Sequence, residues 1–368
     1  MIRIYRPDLE GFISHILEAL GIPQDEAEDS ARILSAADAR GVPSHGAAHL
    51  PRYAAGIRAG LIKGGVTPRV LRETPVSRVL DAEGGMGMSL SRRAMDWVIE
   101  SAGKRGLAVC CVRNSNHFGI AGFYSEMAAR RDMIGIALTN TAALGVPTFA
   151  RSPMFGTNPI AFAAPALDGR LFSLDMATTA VTRGAVEICE REGRDIPPGW
   201  AAGADGGDPG EPARLLEDLL YLRGGGLLPL GGGAEGAGYK GYGLAVMVDI
   251  LTALTSGGAF GAEVRDSAVT SARVCHFFMA LRIDIFREPE DFKRDLSRML
   301  DALSSLPPAE GRERVYYAGL RSQEEEERSA REGVPLSEGV WEELKALALP
   351  LGVLIPAICA PLHGPQIA

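Results

Sequence analysis

The spacing of hydrophobic and polar positions changes along this chain, and the changes outline its elements. Over residues 7–39 apolar residues recur every three or four positions, which predicts two helices. Asp8 is placed to cap Leu9–Leu20, Gly21-Ile22-Pro23 breaks the pattern, and Gln24–Ala39 resumes it with Ala27, Ala31, Leu34 and Ala37 spaced along it. Gly41-Val42-Pro43 stops that helix and leaves Ser44 and His45 opening another that contains Leu50, Tyr53 and Ile57. Residues 69–81 and 91–104 follow as strand and helix.

From residue 106 the runs shorten and alternate. GLAVCCVR reads as a buried strand, NSNHFG as a loop, IAGFYSEMAARR as a helix and MIGIALTN as the next strand, with FSLD at 172–175 closing a similar run. Lys240–Leu254 is an apolar helix, ALRIDIF at 280–286 the last strand-like stretch, and 290–303 an amphipathic helix. This is α/β patterning with a sheet in the middle of the chain. Residues 203–238 interrupt it with a loose Gly/Pro-rich stretch around a helix-like piece at 213–222. The run QEEEERSARE reads as the solvated face of a helix.

A chain of 368 residues exceeds what one core usually serves, so two domains are expected. Hydrophobic residues at 46% and charged ones at 23% exclude a disordered or fibrous chain. A net charge of −8, with no basic cluster longer than Arg92-Arg93 or Arg130-Arg131, argues against nucleic acid as a partner and leaves small molecules or protein. The five cysteines form no C-x-x-C pair and the opening MIRIYRPDLE carries charges where a secretory leader needs an apolar core, so reduced thiols and a cytoplasmic location are expected. The apolar run Leu347–Leu362 is interrupted by Pro350, Pro356 and Pro361, so no membrane span is expected.

Polar groups cluster where predicted strands end: Asn114-Ser115-Asn116-His117, Thr139-Asn140-Thr141, and Asp175 with Met176-Ala177-Thr178. Ligands of open α/β sheets bind at such ends, although the same residue types also cap ordinary turns. His117 sits among small polar neighbours, and His45 lies between Ser44 and Gly46; either imidazole suits proton exchange near neutral pH. His45 and His49 have i, i+4 spacing but no H-E-x-x-H glutamate, so no metal site is expected. Gly231, Gly233 and Gly236 match G-x-G-x-x-G, yet no long strand precedes them, so the motif does not support a Rossmann unit. Only five of the 38 basic residues are lysines, and Lys240 stands between glycines at a helix start, where an anion such as a cofactor phosphate is well served.

Eight segments in order then resemble one family: DARGVPSHG (38–46), LPRYAAGIRAG (50–60), VRNSNHFGIAGFY (112–124), IGIALTNT (134–141), FGTNPIAFAAP (155–165), LDMATT (174–179), IPPGWA (196–201) and GYKGYGL (238–244). They resemble the malate/L-lactate dehydrogenase family of the non-Rossmann type, whose relatives include ureidoglycolate and sulfolactate dehydrogenases and delta-1-piperideine-2-carboxylate reductase. The resemblance implies a homodimer that uses NAD or NADP to interconvert small 2-hydroxy and 2-keto acids. Alternatives are reduction of a cyclic imino acid and a catalytically inactive dinucleotide-binding relative.

It implies an α/β fold, with a non-Rossmann cofactor-binding sheet domain at 76–289 and a mainly helical domain from both chain ends, 1–75 plus 290–368. Thr139, Asn140, Asp175, Met176, Ala177 and Lys240 are implied cofactor neighbours. His117, or His45 with Ser44, takes the acid/base role. A substrate carboxylate asks for a cation, and many members have Arg three residues after the SHG glycine where this chain has His49. Arg40, Arg52 or Arg183 is then expected to compensate, with His49 and Thr157 as further substrate contacts. A second departure is Ala318-Gly319-Leu320, where members show a proline-glycine-glutamate turn.

Overall fold

The computed structural model describes residues 1–221, 223–269 and 271–359. The end of the apolar run at 360–362, and His363, lie outside them. The helices are α1 (Arg6–Ala19), α2 (Gln24–Ala39), α3 (Leu50–Arg58), α4 (Gly87–Arg105), α5 (Ala121–Ala129), α6 (Arg183–Glu192), α7 (Pro212–Tyr221), α8 (Tyr239–Asp249), α9 (Pro289–Ser304), α10 (Leu320–Glu332) and α11 (Glu338–Ala348). The main strands are β1 (Ile2–Ile4), β2 (Arg69–Glu73), β3 (Ser77–Asp81), β4 (Leu107–Ser115), β5 (Met133–Thr139), β6 (Ile160–Pro165), β7 (Leu171–Met176), β8 (Val274–Arg282) and β9 (Val334–Leu336).

Seven strands form one mixed sheet in the order β2-β3-β4-β8-β5-β6-β7, in which only β3 and β4 run parallel. The alternation of strand and helix suggested α/β winding, but the late strand β8 inserts between β4 and β5 and turns most pairings antiparallel. The stretch at 280–286 is only the end of that strand plus a 3₁₀ turn, and β9 follows it. Both sheet faces are covered, which is why β4 reads as a continuous apolar run. Ala108, Cys110 and Val112 join the large core beneath α4 and α5, while Val109 and Cys111 pack with Val248 of α8, Leu138 and Phe277.

The chain ends meet: β1 pairs antiparallel with β9, and Ile4, Leu9, Phe12, Val334, Trp341 and Leu344 share the same core as the sheet. Asp8 lies in the first turn of α1 but makes no cap; Tyr5 is the N-cap residue, with Pro7 in the first turn. After α2 the chain makes two 3₁₀ turns, Pro43–His45 and Ala47–His49, before α3 begins at Leu50, so Ser44 and His45 precede that helix. The region 203–238 is better built than its glycines suggest. Leu215 and Leu219 of α7 bury against Val186 of α6, Ile196 and Leu227 in a small separate core. Helix α9 packs Leu296 and Leu300 on Ala164 and Ala166, in and just after β6, together with Tyr317 and Leu320 at the start of α10. Gly319 has φ +94° and a Cβ there would lie 2.9 Å from Ser173, so the altered turn keeps the glycine that its approach to β7 requires. No helix among the described residues is long and apolar enough to cross a membrane.

Candidate active site

Strand direction decides which loops meet. Because β8 is antiparallel to both β4 and β5, and β6 to both β5 and β7, the strands β4, β5 and β7 all point the same way. Their carboxyl ends therefore share one sheet edge with the amino ends of β8 and β6, where Val274 faces Ser115, His276 faces Thr139 and Ile160 faces Met176. The three polar clusters predicted at strand ends lie along that edge.

The loop after β4 is tightly held. Asn114 adopts φ +52° and donates to both carboxylate oxygens of Asp81 at 3.0 Å. Buried Asn116 donates to Gly84 O at 2.9 Å and Gly85 O at 3.1 Å. These asparagines are scaffold, and His117 projects from the frame they fix. Its Nδ1 lies 2.6 Å from the Tyr53 hydroxyl and accepts the Gly119 N–H at 3.3 Å. A backbone N–H can only donate, so Nδ1 carries no proton and the neutral ring keeps its hydrogen on Nε2.

Three imidazoles converge here. The His117 ring centre lies 5.5 Å from His45 and 5.2 Å from His49, which are 6.0 Å apart. Ser44 Oγ meets His45 Nδ1 at 2.9 Å and orients that ring. Burial, then neighbouring His49 and His45, Arg52 and His276, holds His117 well below the usual imidazole range, and burial with His49 lowers His45 to about 4. Among the described residues no group of His, Cys, Asp or Glu is arranged to hold a metal ion. Sequence reasoning missed the pedestal of this cluster, Asp38. Its buried carboxylate accepts the Ala47 N–H at 2.7 Å, and a Cβ on Gly46 would lie 2.1 Å from it. Desolvation raises this carboxyl to about 7 against the lowering effect of that hydrogen bond. Tyr53 was read only as a helix residue; its i+4 position from His49 was the available signal.

Farther along the edge, Asp175 Oδ2 accepts the Gly122 N–H at 2.7 Å at the start of α5, while Oδ1 has no protein partner among the described residues and the side chain is exposed. Met176 and Ala177 follow half-buried. Thr139 is buried, and its hydroxyl meets His276 Nδ1 at 2.8 Å. Asn140 is fully buried, donates to Asp249 at 3.0 Å and Ala259 O at 2.9 Å, and accepts the Cys275 N–H at 2.7 Å. Its side chain thus shapes the edge from beneath and does not face solvent. Thr157 is half-buried, and its N–H donates to Thr141 Oγ1 at 2.9 Å. Gly241 lets α8 pack against Leu230, whose N–H donates to Thr178 O at 2.8 Å, which brings the start of α8 beside the segment after Asp175. Lys240 there is exposed, and its ammonium has no partner among the described residues.

Two arginines expected at a substrate carboxylate are committed elsewhere. Arg40 Nη2 pairs with Glu126 at 2.8 Å and its Nε with Glu326 at 2.9 Å, locking α2 to α5 and α10. The charge run on α10 is therefore solvated on one side and ion-paired on the other. Arg183 pairs with Glu187 one turn along α6. Arg52 remains beside the cluster, with Nη2 donating to Ser267 O at 2.9 Å and its charge felt by His117 and Tyr53.

Comparisons with known proteins find relatives over nearly the whole chain. The chain is 40% identical over 353 residues to a malate dehydrogenase from Pyrococcus abyssi, covering 96% of each. It is 34% identical to an L-sulfolactate dehydrogenase from Methanocaldococcus jannaschii, covering 96% of this chain and 98% of that one. The structure of malate dehydrogenase from Pyrococcus horikoshii OT3 superposes with a TM-score of 0.86 at 38% identity, covering 96% of each chain. The sequence profile of the family described as malate/L-lactate dehydrogenase matches residues 4–345, and the chain belongs to that family.

Proposed function

We propose that this protein transfers a hydride between NAD or NADP and a small 2-hydroxy acid, with malate-type diacids as the substrate class. The observation that carries the reading is the convergence of His117, His45 and His49 on the sheet edge that also presents Asp175. The edge suits a dinucleotide: Asp175 offers an unshared carboxylate oxygen to an amide or hydroxyl, and Lys240 an unshared ammonium to a phosphate. Thr139, Met176 and Ala177 complete its neighbours, with Asn140 supporting them through Asp249. Bound, the nicotinamide supplies or accepts the hydride at its C4 carbon.

His117 then holds the proton that the substrate oxygen gains or loses. For reduction the resting ring first takes a proton from solvent. As the imidazolium it passes the Nε2 hydrogen, which points away from Tyr53, to the developing alkoxide and is left neutral, with Nδ1 donating to the Tyr53 hydroxyl. Oxidation of the hydroxy acid runs these transfers in reverse. His45, steadied by Ser44, hydrogen-bonds the same oxygen, and Arg52 with His49 meets the carboxylate. Thr157 closes the substrate side. The same reading carries a homodimer, a cytoplasmic location in which the cysteines stay as thiols, and a division into 76–289 and the joined chain ends 1–75 and 290–368.

The test is NADH and NADPH consumption with oxaloacetate, pyruvate, 3-sulfopyruvate and piperideine-2-carboxylate. Oxaloacetate or sulfopyruvate turnover, lost about a hundredfold or more in His117→Gln with dinucleotide affinity kept, is expected. Turnover of the imine alone would make the protein an imino acid reductase, and saturable dinucleotide binding without turnover would make it an inactive relative.

A further inference from the structure

We infer that His276 of β8 is a positioning residue for hydride transfer, its ring tying the loop that carries His117 to the turn after β5 that serves the dinucleotide. The inference rests on the functional reading above and goes beyond it.

Strand order places the residue. In the register of β8, His276 stands opposite Thr139, the last residue of β5, and opposite Val112 of β4. Its ring is fully buried and stacks on that of Phe118, with centres 4.5 Å apart and planes 4° from parallel. Phe118 is the residue after His117. Its ring also lies 4.9 Å from that of Tyr124 on α5, whose hydroxyl donates to the Phe118 carbonyl. At the edge of the His276 ring, Nδ1 meets the Thr139 hydroxyl at 2.8 Å. That hydroxyl is itself 3.0 Å from Asn140 O and 3.1 Å from Cys275 O, so it is anchored in the turn.

A phenylalanine at 276 would make the same stack and bury no polar atom. The imidazole instead carries Nε2, which is buried and closes no hydrogen bond, although the Asn116 backbone lies near enough to act on the ring's charge. Such an atom weakens the fold, and the gain set against it is the Nδ1 bond to Thr139. Burial lowers the ring to about 3, so it is neutral near pH 7 and acts by holding geometry, not by exchanging protons. Hydride transfer needs the nicotinamide and His117 at a fixed separation across the substrate, and a misplacement of about 1 Å is costly. In this reading the nicotinamide rests near the Thr139 turn and His117 is held through Phe118. His276 joins the two supports through one rigid ring.

The experiment uses the full chain and three variants. His276→Phe keeps the stack and removes the Thr139 bond, Thr139→Val removes the same bond from its other end, and the third carries both changes. Rates are read with oxaloacetate, 3-sulfopyruvate and pyruvate, using NADH and NADPH with hydrogen or deuterium at the transferred C4 position. Amide hydrogen exchange over residues 137–141 is followed without dinucleotide, and urea unfolding measures stability. His276→Phe is expected to unfold no more easily than wild type, to lose about tenfold in kcat with KM for the keto acid within about twofold, and to show a larger deuterium effect on kcat. Exchange at Asn140 and Thr141 should quicken about fivefold. The double variant should fall no further than the worse single one, because both changes remove one bond. Wild-type kcat, deuterium effect and exchange in His276→Phe, losses that multiply in the double variant, or a loss of kcat matched by an equal loss of stability would overturn the proposal. Should His276→Phe not fold, wild-type values in Thr139→Val do the same. If wild type turns over none of the three acids, the dehydrogenase reading falls, and unchanged exchange in the variants then removes the tether as well.

Discussion

The Tyr53 hydroxyl lies 2.6 Å from Nδ1 of His117, joining α3 to the loop after β4 and fixing which ring nitrogen bears the proton. Both partners come from segments 64 residues apart in the chain. The Gly119 N–H on the same nitrogen leaves the tyrosine as donor to the neutral ring.

Removing that hydroxyl should cost turnover more than binding. Tyr53→Phe is expected to lower kcat about tenfold, corresponding to one lost hydrogen bond of about 1.4 kcal/mol, with dinucleotide affinity unchanged. Steady-state kinetics and fluorescence titration with NADH check this, and an unaltered kcat would show that the contact does not prepare the ring.

Lys240 should act on the dinucleotide and not on the chemistry. Lys240→Met is expected to weaken dinucleotide binding about tenfold at low salt, and by less at high salt, because the lost interaction is an accessible charge on a phosphate. A titration at two ionic strengths reads both effects. Equal affinity in variant and wild type would remove Lys240 from the cofactor's neighbours.

Asp38 makes stability depend on pH with a definite sign. Its carboxyl is raised from 3.8 to about 7 by burial, so between those values the folded chain keeps a proton that the unfolded chain has released. Its contribution is therefore full below about pH 4 and is lost as the pH rises through 7. Asp38→Asn keeps an acceptor for the Ala47 N–H and removes the titration. Relative to wild type it should gain stability from pH 4.5 to pH 8, by a few kcal/mol at most. Urea unfolding at pH 4.5, 6 and 8 measures the gap, and a constant gap would contradict the assignment.

Arg40 should matter for the fold and not for the substrate. Arg40→Met removes the buried cation between Glu126, which keeps Ser173 and Arg130, and Glu326, which keeps Arg6, and is expected to lower unfolding free energy by about 3 kcal/mol. KM for the keto acid in the folded fraction should stay within about twofold. A large rise in KM with stability intact would return Arg40 to the substrate site.

The sequence by itself determined the local elements and the chemistry that they carry. The helix at Gln24–Ala39 and the strand runs at 106–113 and 133–140, found as β4 and β5 with β4 running on through Ser115, follow from apolar spacing, because burial of one or both faces imposes its own period. The motif segments were legible because glycines and small polar residues mark the turns that hold them. Only the tertiary structure decided how those segments meet. Strand β8 lies 135 residues beyond β5 in the chain, from Thr139 to Val274, and its insertion between β4 and β5 is a long-range pairing that no local period encodes. That insertion aligns β4, β5 and β7 and so brings the polar loops to one edge. Likewise Arg40 looked like a substrate cation until Glu126 and Glu326, 86 and 286 residues away, were seen to hold it. Charge partners and strand order are set by contacts across the fold, where the free energy of burial is settled collectively and not residue by residue.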